Sequence, residues 1–174
     1  LSMIIGMINI QSEKKTKFIA EELYKICITG DLIALYGELG SGKSTFAKYF
    51  IKKATNIKSV PSPTYNLILP YKTKLSTIYH MDAWRINDEN EAASLGITEM
   101  FESSIFIIEW ADKIKSFIPE NCLNLIINTK ENIRELIFKG NTNWQNRLKK
   151  FKHFLILDKL LLIQVDKVHI FFLF

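Results

Sequence analysis

Apolar and polar positions along the chain follow two periods, and the places where one period gives way to the other mark the elements. Met3 to Ile10 is mostly apolar and predicts a first strand, with Ser12 placed to cap the helix after it. Over residues 13–27 the apolar positions Phe18, Ile19, Leu23 and Ile26 recur at helical spacing among Lys and Glu, and Gly30 and Asp31 then predict a turn. Leu32 to Tyr36 is a short unbroken apolar run, the pattern of a strand buried on both faces of a parallel sheet. A glycine-rich stretch, 37–42, separates it from a second helical pattern over 44–55 built on Phe46, Ala47, Phe50 and Ile51.

Pro61 and Pro63 exclude helix interior from 60–65 and predict an ordered loop. Residues 66–71 and 75–81 alternate around Lys72 to Lys74 as a hairpin would. Residues 87–95 read as a helix with acids in its first turns. Residues 105–108 form a second four-residue apolar run that ends at Glu109. Two further strands are expected over 123–127 and 133–138, joined around 129–132, and a last helix over 143–151. The whole predicts an α/β fold of three layers with a mostly parallel central sheet, the glycine-rich stretch lying between a buried strand and a helix as a P-loop does. One domain is expected over residues 1–152. Residues 153–174 form an apolar extension interrupted by Asp158, Lys159, Asp166 and Lys167, which suits an extra packed element or a partner-binding tail. As a membrane helix, each of those charges would cost about 2.5 to 3.5 kcal/mol, so no membrane span is expected.

The chain's 174 residues suit one domain with a core of its own. Its apolar share of 48% and charged share of 24% exclude collagen-like and wholly disordered classes. The two cysteines, Cys27 and Cys122, lie far apart with no zinc spacing, which argues against a disulfide framework and for a reducing, cytoplasmic setting. Met3 to Ile10 lacks a basic flank and a small-residue cleavage site, so a strand is expected there and not a leader. The net charge of +5 invites a nucleic-acid reading with Lys52, Lys53, Lys58, Lys72 and Lys74 as candidates. Only three of the 23 basic residues are Arg (Arg85, Arg134 and Arg147), so a solvated Lys-rich surface is the preferred reading of the charge.

The chemistry concentrates in Gly37 to Ser44, which matches G-x-x-x-x-G-K-[ST] without a departure. Glycines let successive backbone N–H groups turn inward around phosphate oxygens, and the next helix aims its positive end at the same anion. The nucleotide-binding run is Glu38, Leu39, Gly40, Ser41, Gly42, Lys43, Ser44 and Thr45, in which Lys43 meets the β- and γ-phosphates and Ser44 takes Mg²⁺. Such a site also needs a carboxylate at the end of a neighbouring strand. Two strands end that way, one at Asp82 and one at Glu109, and Glu109 ranks first as a site residue because it follows directly on a four-residue buried run. No N-K-x-D or D-x-x-G string occurs, and three Arg make a poor kinase lid, which points to adenine by elimination.

Five strings in order, GELGSGKSTF at 37–46, SPTY at 62–65, HMDAWR at 80–85, LGI at 95–97 and IEW at 108–110, resemble the TsaE (YjeE) family. TKFIAEEL at 16–23 is similar to that family's first helix, and the likeness covers roughly residues 10–150. The resemblance implies a slow Mg²⁺-dependent ATPase that serves tRNA threonylcarbamoyladenosine formation with the TsaD and TsaB proteins, with tRNA met indirectly or weakly. It also implies that Lys43, Asp82 and Glu109 are catalytic, that Ser44 and Glu109 hold the metal, that Thr64 lies on a switch-like loop near the γ-phosphate, and that Trp110 sits by the nucleotide. Met81 and Trp84 depart from the family's usual Phe and Tyr, and the extension after residue 152 has no counterpart in it. A nucleotide-dependent binding module and a small-molecule kinase are the competing readings. His80 suits either a proton shuttle or a histidine bonded within the fold, Arg85 either a phosphate or tRNA contact or a pair with Glu89, and Thr16 either a nucleotide contact or a helix surface.

Overall fold

The computed structural model describes residues 2–130 and 133–151. The expectations for residues 131–132 and for the 153–174 extension therefore lie outside the described residues. The elements run β1 (Met3–Ile10), α1 (Glu13–Ile26), β2 (Leu32–Tyr36), α2 (Lys43–Thr55), β3 (Ile68–Lys72), β4 (Thr77–Asp82), α3 (Glu89–Ser94), α4 (Ile97–Met100), β5 (Ile105–Glu109), β6 (Leu123–Lys130), β7 (Ile133–Gly140) and α5 (Thr142–Leu148). Turns of 3₁₀ helix at Ala83–Arg85, Ala111–Phe117, which is kinked at Ile114, and Lys149–Phe151 complete them.

All seven strands join one sheet in the order β1-β7-β6-β2-β5-β4-β3. The four central strands pair in parallel, β6 with β2, β2 with β5 and β5 with β4. Both flanks are antiparallel, through β3 with β4 on one side and β6, β7 and β1 on the other. The sheet is thus parallel at its centre and mixed as a whole.

Strand alternation divides the core. Ile33 and Leu35 of β2, with Ile105 and Ile107 of β5, face the cluster that holds α1, α2 and Trp144 of α5. Leu32 and Ala34, with Phe106 and Ile108, face the opposite cluster, covered by Ala92, Ile97, Ala111 and Ile114. Helices therefore lie on both faces, which is why β2 and β5 read as unbroken apolar runs. Helix α1 starts at Ser12, whose side chain accepts from the Lys15 N–H, and it buries Thr16, Ile19, Ala20 and Leu23, spaced by three and four residues. Phe18, counted among the apolar positions of that helix, is 43% exposed.

At the end of β2 remote from the loop, Asp31 and Arg147 form a nearly buried ion pair. Arg147 also lies 3.7 Å from the Trp144 ring centroid, and Trp144 Nε1 donates to the Asn121 carbonyl at 3.0 Å. These contacts hold α5 against the turn between α1 and β2. Among the described residues no helix is long and apolar enough to cross a membrane.

Candidate functional site

Parallel register places the site. Glu109 stands opposite Leu35 of β2 and Asp82 of β4, so the carboxyl ends of three adjacent strands bring together the Gly37 to Gly42 loop, Asp82 and Glu109. The loop takes its shape from glycines with positive φ, Gly37 at 144°, Gly40 at 77° and Gly42 at 110°. A Cβ on Gly37 would stand 2.5 Å from the Ile127 carbonyl oxygen, so no other residue fits there, whereas a Cβ on Gly40 would meet open space. Gly42 is the N-cap of α2 and has no side chain to satisfy the first amides of that helix.

Lys43, 3% exposed, turns back over the loop, where its Nζ donates to the Gly37 carbonyl at 2.6 Å and the Glu38 carbonyl at 2.9 Å. Its ammonium also sits 3.6 Å from the Trp110 ring centroid. Burial pulls the Lys43 pKa below its ordinary value, and Glu109, Asp112 and Asp82 draw it part of the way back. Tyr36, at the end of β2, is pushed up to about 12, first by burial and then by Cys122 and Asp112.

The two acids are bonded differently. Glu109 is 1% exposed; its Oε2 accepts the Ser44 hydroxyl at 2.5 Å and its Oε1 lies 2.8 Å from His80 Nε2. Asp82 Oδ2 accepts the Thr64 hydroxyl at 2.7 Å, and its Oδ1 caps the Ala83–Arg85 turn by accepting the Trp84 N–H at 3.0 Å. Ser62 Oγ lies 2.8 Å from Thr64 Oγ1, which extends that chain into the proline loop. Trp110 has φ +57°, rare for a side chain of its size, and its ring meets that of Trp84 at 4.3 Å between centroids.

Two clefts border the loop. One, of about 230 Å³, is lined by Leu39, Gly40, Gly42, Lys43, Ser44, Thr45 and Trp110. The other, of about 130 Å³, is lined by Ile10, Glu13, Thr16, Phe46, Ile127 and Arg134 together with residues of the loop. Ser41, 1% exposed, has an Oγ with no hydrogen-bond partner among the described residues. That orphaned hydroxyl, the glycine cradle and the Ser44–Glu109 pair fit a phosphate chain with Mg²⁺, a cation that takes few protein ligands and keeps several waters. Among the described residues no three His, Cys, Asp or Glu side chains are grouped to hold a metal on their own.

The expected residues thus lie around the loop and the strand ends beside it, with Leu39, 82% exposed, on the wall of the larger cleft. His80 is fully buried and bonded within the fold. Thr16 is buried against the smaller cleft. Arg85 stands 5.5 Å from the Tyr65 ring centroid. Lys53, Lys58, Lys72 and Lys74 are exposed and Lys52 half-buried. Arg134 was not singled out by sequence. Its signal is its rarity, since a chain that uses Lys almost everywhere places one of its three Arg beside Gly42.

Residues 10–136 match the family model described as threonylcarbamoyl adenosine biosynthesis protein TsaE. The tRNA threonylcarbamoyladenosine biosynthesis protein TsaE of Bacillus subtilis (strain 168) is 35% identical over 132 residues, 75% of this chain and 82% of the relative. The protein of the same name from Rickettsia conorii is 33% identical over 134 residues, 75% of each chain. The crystal structure of Bacillus subtilis YdiB matches with a TM-score of 0.69 at 26% identity, covering 86% of this chain and 93% of that one. With the family model spanning 10–136 and two such relatives each matching 75% of its length, the chain belongs to the TsaE family.

Proposed function

We propose that this protein is a Mg²⁺-dependent ATPase subunit of tRNA threonylcarbamoyladenosine formation, acting in the cytoplasm with TsaD and TsaB. The observation that carries the reading is the meeting of Lys43, Ser44, Asp82 and Glu109 at the carboxyl ends of β2, β4 and β5. The names of its relatives supply the pathway. Residues 38–45 cradle the phosphates, with the nucleoside in the cleft beside Thr16 and Arg134. Bound Mg²⁺ would supply charge neutralisation on the phosphoryl oxygens, and Ser44 and Glu109 are the residues that would hold it.

The acids divide the work according to their partners. Glu109, tied to Ser44, belongs to the metal side. Asp82, tied to Thr64 on the proline loop, is placed to orient the attacking water and accept its proton as the oxygen bonds to the γ-phosphorus and ADP leaves. Lys43 gives up carbonyl partners for phosphate oxygens. Trp110, stacked over Lys43, shields that cation from water on one side.

Calorimetry with ATP and Mg²⁺, followed by single-turnover phosphate release with and without TsaD and TsaB, tests the proposal. Tight binding with turnover that rises on adding the partners is expected. Binding without turnover in either condition would make the protein a nucleotide-dependent recruitment module, and phosphate transfer to a small hydroxyl compound would make it a kinase.

A further inference from the structure

We infer that His80 is a positioning residue for Glu109, fixing which carboxylate oxygen faces Ser44 and the metal. The inference rests on the Mg²⁺-dependent ATPase reading. His80 is 0% exposed on β4, two residues before Asp82 and on the same face of the strand, and its Nε2 reaches across to Glu109 Oε1 on β5 at 2.8 Å. Its other ring nitrogen, Nδ1, is buried with no partner among the described residues. A hydrogen on Nδ1 would be a buried donor with nothing to bond, whereas a hydrogen on Nε2 meets a carboxylate oxygen. The network therefore assigns the hydrogen to Nε2, and His80 donates.

That donation matters because of the way glutamate moves. The terminal torsion of a Glu side chain is broad and nearly two-fold, so nothing in Glu109 itself selects the plane of its carboxylate. Ser44 cannot make the selection alone, since its hydroxyl rotates freely and its oxygen is the atom a cation takes. His80 is held by a strand inside the core and has no such freedom. By engaging Oε1 it leaves Oε2 directed at Ser44, where the structure places it.

The test compares H80Q with H80N. A Gln amide reaches the place of Nε2 and can donate to Oε1, while Asn is too short, and any penalty for burying an amide is common to both. The readouts are melting temperature, ADP affinity without metal, the Mg²⁺ concentration that half-saturates the nucleotide complex, and turnover. H80N should lose about 10- to 100-fold in Mg²⁺ affinity or turnover, in line with other residues that orient metal ligands, while metal-free ADP affinity stays within about twofold and H80Q regains most of the loss. H80N indistinguishable from the wild type, or H80Q no better than H80N, would overturn the inference. A wild type that neither binds nucleotide with Mg²⁺ nor hydrolyses it would instead overturn the ATPase reading, and that is seen before any variant is made. Should neither variant fold, the ring nitrogens of the wild type decide through their ¹⁵N spectrum. Hydrogen on Nε2, with a shift that moves in E109Q, supports the inference; hydrogen on Nδ1 overturns it.

Discussion

Lys43 is a desolvated cation whose close partners are all neutral, two backbone carbonyls and the face of an indole ring. Such partners stabilise an ammonium less than an anion would, so the loop gains most when a phosphate replaces them. Removing that one cation should cost what a charge-assisted contact contributes. Lys43→Ala is predicted to weaken ATP binding by about 10- to 100-fold, corresponding to roughly 1.5–3 kcal/mol, and unchanged affinity in a calorimetric titration would sink the phosphate reading. Glu109→Gln separates binding from chemistry, because the amide keeps the shape and loses the charge. ATP should stay bound while turnover falls by at least ~10²-fold, the usual size of one lost electrostatic or general-base contribution. If phosphate release by that variant is normal, the essential acid is Asp82.

The elements with a strong period were legible in sequence, and so were the residues that the loop motif names. β2 and β5 announced themselves as unbroken apolar runs because both faces are covered, and α1 and α2 through stripes spaced by three and four. The Ala83–Arg85 and Ala111–Phe117 turns left no such trace, since one or two turns of 3₁₀ helix show no repeat, and α4 is only four residues long. The pairing of His80 with Glu109 could not be read either, because 29 residues separate two side chains that only the β4–β5 register brings together. The same limit hid the clamp on α5, where Arg147 reaches Asp31 across 116 positions with its Nη2 2.9 Å from Oδ1. Asp31 also accepts the Ile28 N–H at 2.8 Å, so the pair organises the turn that feeds β2. Arg147→Ala leaves that carboxylate buried without its cation and is predicted to cost about 3–5 kcal/mol. For a chain of this size that is a fall of at least ~6 °C in melting temperature, at about 2–4 °C per kcal/mol. Scanning calorimetry checks it, and replacing both partners by Asn and Met should recover part of the loss, since the penalty comes from the unpaired charge.

Across the molecule the two ends of the sheet are built on different terms. At the Asp31 end the buried cation and anion pair through two hydrogen bonds, with Arg147 Nε left without a partner among the described residues, and Trp144 closes over them. At the Glu109 end Lys43, Asp82, Glu109 and His80 are all buried, yet the lysine bonds only to carbonyls and Ser41 has a hydroxyl with no partner among the described residues. Desolvated groups with incomplete partners make that end the less stable one, and local opening starts where stabilising contacts are fewest. A ligand that completes them should stabilise the protein unevenly. At a concentration a hundred times its dissociation constant, Mg²⁺ with a non-hydrolysable ATP analogue adds about 2.7 kcal/mol to global stability. Hydrogen exchange should then slow most over residues 37–45, 62–67, 82–85 and 109–112, the segments that the strand register gathers at one edge, and change little at α5 and the Asp31 turn. Protection spread evenly over the sheet, or concentrated around α5, would place the nucleotide elsewhere and remove the reason for reading this edge as the site.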